Sequence, residues 1–206
     1  MPATAARPNV VTPLREARKD FTRAHICAAA REEFFVRGFS APTMEQIAQA
    51  VGVRRSTLYT HFRDKEEILA AITADYTVGL RQLVARLPGP VPTRDEIAQW
   101  IGEFAGFARD QRAPTELLVT ASGVAHLPES LRQFGGEFLA MLAERLPSFR
   151  RALEARSSLS HAWAMATLRE LGWALCFHAQ QGANEETANR LAVATTLFCR
   201  FVHDEC

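Results

Sequence analysis

The sequence has few of the features that mark membrane-spanning or secreted proteins. Among its 206 residues, no uninterrupted apolar run reaches the roughly 18 residues that a membrane-spanning helix needs. Residues 1–14 lack the apolar core of a signal peptide. The four cysteines show no Cys-x-x-Cys spacing, which favours free thiols over a disulfide framework. We therefore expect a cytoplasmic protein without a membrane partner.

Motifs of enzymatic chemistry are also missing. His-Glu-x-x-His, Gly-x-Ser-x-Gly, the phosphate-binding Gly-x-x-x-x-Gly-Lys and the dinucleotide-binding Gly-x-Gly-x-x-Gly do not occur in the sequence. The six histidines are scattered along the chain, so they suggest no metal site. We predict that the protein is not an enzyme and that it holds neither a metal nor a cofactor.

Lysine is scarce, and the basic residues are unevenly distributed. Lys19 and Lys65 are the only lysines, and the formal net charge of the whole chain is only +1. Residues 1–66 nevertheless hold 11 basic against 7 acidic residues, whereas residues 67–206 hold 13 against 16. Positive charge is thus concentrated near the N-terminus, which favours contact of that region with nucleic-acid phosphates.

A block that begins at Thr43 has the pattern of a helix, a tight turn and a second helix. Thr43 is a good helix N-cap, and Gln46 three residues later completes a capping box. Gly52 can adopt the positive φ of a sharp turn. Leu58 and Phe62 are four residues apart, so they form the buried stripe of the second helix. The remaining face is basic and hydroxylated, which is typical of a recognition helix in the DNA major groove.

We predict that this exposed face and the start of the next helix contact DNA. Arg54 and Arg55 open the second helix, and we expect one of them to bind guanine O6 and N7 and the other to bind a phosphate. Hydroxyl, imidazole and ammonium groups supply the other predicted contacts to phosphates or base edges: Thr43, Ser56, Thr57, Tyr59, Thr60, His61 and Lys65.

The block resembles the tetracycline-repressor (TetR) family of bacterial one-component regulators over roughly residues 20 to 70. The matching residues follow one another without insertion: Ile26, Ala29, Ala30, Phe34, Gly38, Phe39, Thr43, Ile47, Ala48, Gly52, Val53, Leu58, Tyr59, Thr60, His61, Phe62, Lys65 and Glu66. Cys27 and Glu33 depart from the pattern, because the family usually has leucines there. The resemblance implies an all-α fold of about nine helices, with an N-terminal three-helix DNA-binding domain and a C-terminal helical ligand-binding and dimerisation domain.

We expect three segments along the chain. Residues 1–14 are rich in proline and have little apolar surface to bury, so we predict a disordered tail. Residues 15–66 are the predicted DNA-binding domain, and residues 67–206 are the predicted effector-binding and dimerisation domain.

A fourth helix, starting at Lys65, is expected to connect the two domains. Its apolar residues share one face, because they are spaced four and three apart: Ile68, Ile72, Tyr76, Leu80 and Leu83. The Pro-Gly-Pro-Val-Pro segment at residues 88–92 ends it. Later helices are predicted from Thr93, Pro114, Pro128 and Glu185, with one long helix from Pro147 to about Gln181.

The last two helices predict a homodimer. From Ala162 to Ala179 the sequence is apolar on nearly all sides, so one side should pack internally and the other against a partner. We predict a four-helix bundle between two subunits, as the resemblance also implies, which presents two recognition helices to a palindromic operator. The predicted interface residues are Trp163, Leu168, Leu171, Leu175, Leu191, Phe198, Phe201 and Val202.

A ligand cavity is expected between the fourth helix and the long penultimate helix, because such pockets are mostly apolar with a few polar groups. Its candidate lining residues, each also compatible with ordinary core packing, are Trp100, Phe104, Phe107, Leu118, His126, Trp173 and Phe177. Their aromatic character favours a hydrophobic or aromatic effector.

These observations predict a DNA-binding transcriptional regulator. By the family resemblance it is a repressor that binds a palindromic double-stranded DNA operator as a dimer and is released by a small effector. One alternative is a helical DNA-binding regulator that a protein partner controls, or that has no effector. The other is a helical interaction protein in which the helix-turn-helix shape is incidental.

Overall fold

The computed structural model describes residues 13–121, 129–156 and 158–203. The candidate ligand residue His126 and most of the predicted disordered tail lie outside these residues. The first helix begins at Pro13, so the last two residues of the predicted tail are helical.

The described residues form ten α-helices and no strand, which confirms the predicted all-α fold class. The helices are α1 (Pro13–Arg37), α2 (Met44–Val51), α3 (Arg55–His61), α4 (Lys65–Ala85), α5 (Arg94–Asp110), α6 (Arg112–Ala121), α7 (Glu129–Arg145), α8 (Pro147–Glu154), α9 (Leu159–Gln181) and α10 (Glu185–Val202).

The tenth helix arises from a break that the sequence did not reveal. One long helix from Pro147 to about Gln181 was expected, but α8 ends at Glu154 and α9 begins at Leu159. The hydroxyl oxygen of Ser158 accepts a hydrogen bond from the backbone N–H of His161 at 3.2 Å, so Ser158 is the N-cap of a new helix. The prediction of a single helix was therefore wrong.

The first three helices enclose a small apolar core. Ile26 of α1, Ile47 of α2 and Leu58 of α3 are fully buried, and Phe34 and Phe62 are nearly so. The predicted burial of Leu58 and Phe62 is thus confirmed. Since the short α3 uses one face for this core, its other face is left to the solvent.

Helix α4 links this core to the rest of the chain. It contacts α1 as well as α6 and α7, and the whole of its predicted apolar face is buried: Ile68, Ile72, Tyr76, Leu80 and Leu83. A change in the position of α4 would therefore alter its packing against α1 and against α6 and α7.

Helices α5, α6, α8 and α10 pack around α9, and α7 packs against α4 and α8. Aromatic rings fill the space between them: the Trp100 ring lies 5.6 Å from that of Phe198, which lies 5.5 Å from that of Phe149. The indole N–H of Trp100 also donates to the carbonyl oxygen of Leu83 at 2.9 Å, which ties α5 to α4. None of the described helices is both long and apolar enough to cross a membrane.

Candidate nucleic-acid interface

The turn before α3 has the local geometry that the sequence predicts. The Thr43 hydroxyl accepts from the Gln46 N–H at 3.2 Å, and the Gln46 side-chain oxygen accepts from the Thr43 N–H at 2.9 Å, which completes the capping box. Gly52 has a φ of 75°, in the left-handed region that glycine adopts without strain. The turn thereby fixes the start of α3 against α2.

Helix α3 presents a polar surface to the solvent. Leu58 points into the core, and the carbonyl of Arg54 accepts the first helical hydrogen bonds, from the N–H groups of Thr57 at 2.9 Å and Leu58 at 3.1 Å. The Thr60 hydroxyl is engaged within the helix, because it donates to the Ser56 carbonyl oxygen at 2.9 Å. Thr57 and His61 are half-buried, and the other predicted DNA contacts of α3 and its N-cap are exposed: Arg54, Arg55, Ser56, Tyr59 and Thr60.

The two arginines at the start of α3 differ in their surroundings. Nη1 of Arg55 lies 2.5 Å from a carboxylate oxygen of Glu45 in α2, and its guanidinium lies 5.4 Å from the centre of the Tyr59 ring. The hydrogen bond with Tyr59 and the charge of Glu45 raise the pKa of Arg55 above its ordinary value. Arg54 has no such ion pair among the described residues, so its guanidinium is free to bind a phosphate.

Lys65 is already engaged in the folded chain. Its ammonium donates to the carbonyl oxygens of Phe39 at 3.0 Å and Ser40 at 2.9 Å, and lies 5.1 Å from the centre of the Phe39 ring. Burial lowers the pKa of Lys65. Because an ammonium has three donors, one remains for the predicted phosphate contact, and the other two fix the connection between α1 and α2.

The backbone of His61 is held by Arg23, which was not among the predicted site residues. Nη1 of Arg23 in α1 donates to the carbonyl oxygen of His61 at 2.8 Å, and the guanidinium lies 4.0 Å from the centre of the Phe62 ring. Nδ1 of His61 is buried without a partner among the described residues. Burial, followed by the charges of Lys19 and Arg23, lowers the pKa of His61, so its ring is neutral near pH 7. The sign of this contact in the sequence was Arg23 itself, an arginine within the apolar stripe of α1.

Comparison with known proteins identifies the same part of the chain, the helices around α3, as its region of similarity. The sequence profile of the bacterial regulatory proteins, tetR family, matches residues 26–72, from α1 into α4. The regulator SrpR of Pseudomonas putida is 45% identical over 53 residues, which are 26% of this chain and 25% of that protein. The repressor BepR of Brucella suis is 24% identical over 159 residues, or 73% of this chain and 74% of that protein.

By this match, residues 26–72 of the chain are a tetR-family region. A TetR family transcription regulator from Marinobacter aquaeolei shares its fold, with a TM-score of 0.62 at 16% identity, over 88% of this chain and 97% of that one. The match to SrpR spans only a quarter of that protein's length. TetR-family regulators are non-enzymatic DNA-binding proteins, in agreement with the predicted lack of enzymatic activity.

The two departures from the family pattern lie away from the exposed face of α3. Glu33 is half-buried at the edge of the α1 core, and its carboxylate lies 3.4 Å from Nε of Arg37. Cys27 is half-buried and packs against the core. Both positions are therefore accommodated within α1.

The predicted ligand-lining residues that the structure describes lie in different surroundings. Trp100, Phe104 and Leu118 are buried, and the Trp100 and Phe104 rings are 5.5 Å apart in the core. Trp173 is 47% exposed on the outer face of α9, since its neighbours in sequence take the inward positions. Phe177 is half-buried, with the Arg190 guanidinium 4.2 Å from its ring centre.

Two clefts border α4 instead, and neither is lined by a predicted ligand residue. One, of about 510 Å³, lies between α1, α4 and the beginning of α6. Charged and aromatic side chains on its walls include Asp20, Arg23, Arg31, Asp75 and Tyr76. The second, of about 300 Å³, lies between α4 and α7.

The remaining aromatic ring of the prediction lies beside α4. Phe107 is half-buried, and its ring centre is 5.0 Å from that of Tyr76, which is in turn 5.9 Å from that of Phe134. The Tyr76 hydroxyl lies 3.2 Å from that of Thr115, and burial raises the pKa of Tyr76 to about 12. We call Tyr76, Phe107 and Phe134 the α4 aromatic cluster.

Half of the predicted dimer residues belong to the core of the chain itself. Leu171, Leu175, Phe198 and Phe201 are buried, and the Phe201 ring packs 4.7 Å from that of Phe149 in α8. The apolar pattern of α9 and α10 did not reveal which residues face inward. Trp163, Leu168, Leu191 and Val202 are half-buried and pack at the edge of this core.

Other apolar side chains of α9 and α10 are exposed. They are Leu159, Met165, Trp173 and Val193. Ala162, Ala166 and Ala192 of the same two helices are exposed as well. We call these seven residues the outer apolar face.

Proposed function

We propose that the protein is a transcriptional regulator that places α3 in the major groove of an operator. The observation that supports this most directly is the polar face of α3, held at a fixed angle by the Thr43 capping box and the Gly52 turn. A helix held in this way is how a helix-turn-helix protein presents side chains to base edges. Arg54 lies next to this face and supplies positive charge for phosphate contact.

The structure favours different roles for the predicted DNA-binding residues. Arg55 is oriented by Glu45, so we assign it to base contact. Arg54, Lys65 and the Thr43 hydroxyl are assigned to phosphates, since they flank the exposed face of α3. His61 is half-buried and neutral near pH 7, so we assign it at most a neutral hydrogen bond.

We propose a homodimer formed through the outer apolar face. Trp173 and Val193 are both about half exposed, at 47% and 55%. Exposed apolar patches mark interaction sites. Its position on α9 and α10 agrees with the predicted four-helix bundle, although different side chains form the contact. Such a dimer would hold two copies of α3 for the two half-sites of a palindromic operator.

We further propose that a small hydrophobic or aromatic effector releases the operator by acting on α4. This helix packs against α1 and also supplies Tyr76 to the α4 aromatic cluster. An effector that binds these rings better in one position of α4 would shift the equilibrium by its difference in affinity for the two states. Repression relieved by ligand is what the family resemblance favours.

The DNA-binding proposal is tested by selection from genomic DNA. Purified protein is mixed with fragmented DNA of the source organism, and the bound fragments are sequenced, with the Arg54→Ala/Arg55→Ala variant as control. We expect enrichment of a sequence with two-fold symmetry and half-sites about one helical turn or more apart. Recovery of fragments in their input proportions would contradict the proposal.

The effector proposal is tested on the same DNA. The complex with an enriched fragment is titrated with a panel of hydrophobic and aromatic compounds, for wild type and for Phe107→Leu. We expect release by at least one compound and a weaker response in the variant. Binding that no compound weakens would favour a regulator that a protein partner controls, or one without an effector.

A further inference from the structure

We infer that Glu45 and Arg55 act together to select a G·C base pair in each half-site, with Arg55 on guanine and Glu45 on the paired cytosine. The inference rests on the proposed function, because it requires α3 to lie in the major groove. It adds a residue of α2, outside the recognition helix, to the side chains that determine specificity.

The pair is held at the surface where α2 and α3 meet. Glu45 lies in the first turn of α2 and Arg55 is the first residue of α3, and the 2.5 Å ion pair joins them. Both side chains are more than half exposed. The Tyr59 ring lies beside the guanidinium, with its centre 5.4 Å from Cζ. Arg55 is therefore oriented before DNA arrives.

Each member of the pair keeps hydrogen-bonding groups for DNA. A guanidinium has five N–H donors, and the contacts of Arg55 with Glu45 and Tyr59 leave at least two of them for a bidentate contact. A carboxylate accepts through both oxygens. The second oxygen of Glu45 has no partner among the described residues. The pair thus presents donors and an acceptor side by side.

This order of groups matches one base pair in the major groove. Guanine presents the acceptors N7 and O6, and its paired cytosine presents the N4 amino donor. An A·T pair presents a donor at N6 of adenine and an acceptor at O4 of thymine. The donors of Arg55 would then meet a donor, and the acceptor of Glu45 would meet an acceptor. Glu45 and Arg55 together should therefore reject A·T more strongly than Arg55 alone.

A purely structural role explains the contact less well. Exposed ion pairs contribute little to stability. Near DNA, a carboxylate is repelled by phosphates, so Glu45 would weaken binding unless it gains a partner there. The amino group of cytosine is such a partner, since Glu and Asp accept from cytosine N4. Arg54, which has no ion pair among the described residues, is left as the phosphate-binding arginine.

The test removes the cytosine amino group and the carboxylate in turn. In an operator found by genomic selection, each cytosine of one half-site is replaced by 2-pyrimidinone, which lacks that group. Dissociation constants are measured for wild type, Glu45→Ala and Glu45→Gln. Glu32→Ala is the matched control, because it removes an exposed carboxylate from α1.

We expect one position at which the replacement weakens wild type and Glu32→Ala by about tenfold. At that position the replacement should weaken operator binding by Glu45→Ala less than about twofold, because this variant already lacks the carboxylate acceptor. Glu45→Gln keeps one acceptor oxygen and should recover part of the penalty. Among the guanines of the half-site, replacement of the one paired with this cytosine should weaken operator binding by Arg55→Lys least.

Two results would overturn the inference, and they are distinguishable. If wild type selects its operator but Glu45→Ala suffers the same penalty at every position, Arg55 acts without Glu45 and only this inference fails. If wild type binds operator and scrambled duplexes equally, the proposed function fails and this inference with it.

Discussion

The guanidinium of Arg23 in α1 donates to the carbonyl oxygen of His61, the last residue of α3, at 2.8 Å. The last carbonyls of a helix lack partners within the helix, and a cation near that end is favourable. The same guanidinium packs on Phe62, 4.0 Å from its ring centre. Arg23 therefore fixes the end of the recognition helix against α1, and it also borders the larger cleft beside α4.

Removing this contact should loosen α3. We expect Arg23→Ala to lower the free energy of unfolding by about 1.5–3 kcal/mol, the usual contribution of a hydrogen bond to a charged group. Operator affinity should also fall. Urea unfolding and a DNA titration measure the two effects, with Arg18→Ala on the exposed side of α1 as control. A variant as stable as wild type would show that Arg23 does not secure the helix.

Lys65 should contribute one phosphate contact. We expect Lys65→Ala to weaken operator and scrambled duplexes alike and to reduce the slope of log K against log salt by about one unit for each protomer. The reason is that one ammonium donor remains beyond the contacts with Phe39 and Ser40. Binding measured over a range of salt concentrations gives the slope. Equal slopes for wild type and variant would restrict Lys65 to its structural contacts.

Stability should fall as the pH drops below neutrality. Burial lowers the pKa of both His61 and His178 below their ordinary 6.5. The unfolded chain then binds more protons than the folded chain as the pH falls through 6.5, so the free energy of unfolding decreases there and is constant above. The carboxylates with lowered pKa, Asp64 and Glu96, act only at more acidic pH.

Urea unfolding from pH 8 to pH 5 measures this dependence. His178→Gln should flatten the decrease between pH 7 and pH 5, whereas His25→Gln, at an exposed position, should leave it unchanged. A decrease of the same size in wild type and His178→Gln would exclude His178 as its source.

Charge on the outer apolar face should dissociate the proposed dimer. Val193 and Val91 are both exposed valines, at 55% and 69%, but only Val193 belongs to that face. We expect Val193→Asp to sediment as a monomer at micromolar concentration and Val91→Asp to remain a dimer. A monomeric wild type, or a dimeric Val193→Asp, would contradict the proposed interface.

Local signals of the sequence predicted the helix-turn-helix correctly. The Thr43 cap depends on Gln46 three residues away, and the buried stripe of α3 depends on the spacing of Leu58 and Phe62. Such patterns involve neighbours within one or two helical turns, so they can be recognised without the fold. The break before Ser158 was missed because no proline or glycine lies between Glu154 and Leu159.

The side-chain contacts of the candidate site could not be predicted in this way. Lys65 meets carbonyl oxygens 25 and 26 residues earlier, and Arg23 meets a carbonyl 38 residues later. These distances along the chain are closed only by the crossing of helices. The same limit applies to Phe198, since periodicity marks it as apolar without showing that it faces α8 rather than a partner.

Binding of specific DNA by α3 is tested most directly by fluorescence polarisation with the intergenic duplex upstream of the protein's own gene. Wild type and the Arg54→Ala/Arg55→Ala variant are compared on this duplex and on a scrambled one at two salt concentrations. We predict selective, salt-sensitive binding by wild type and loss of that selectivity in a variant that keeps its helical circular dichroism. Equal selectivity of wild type and variant would contradict specific binding by α3.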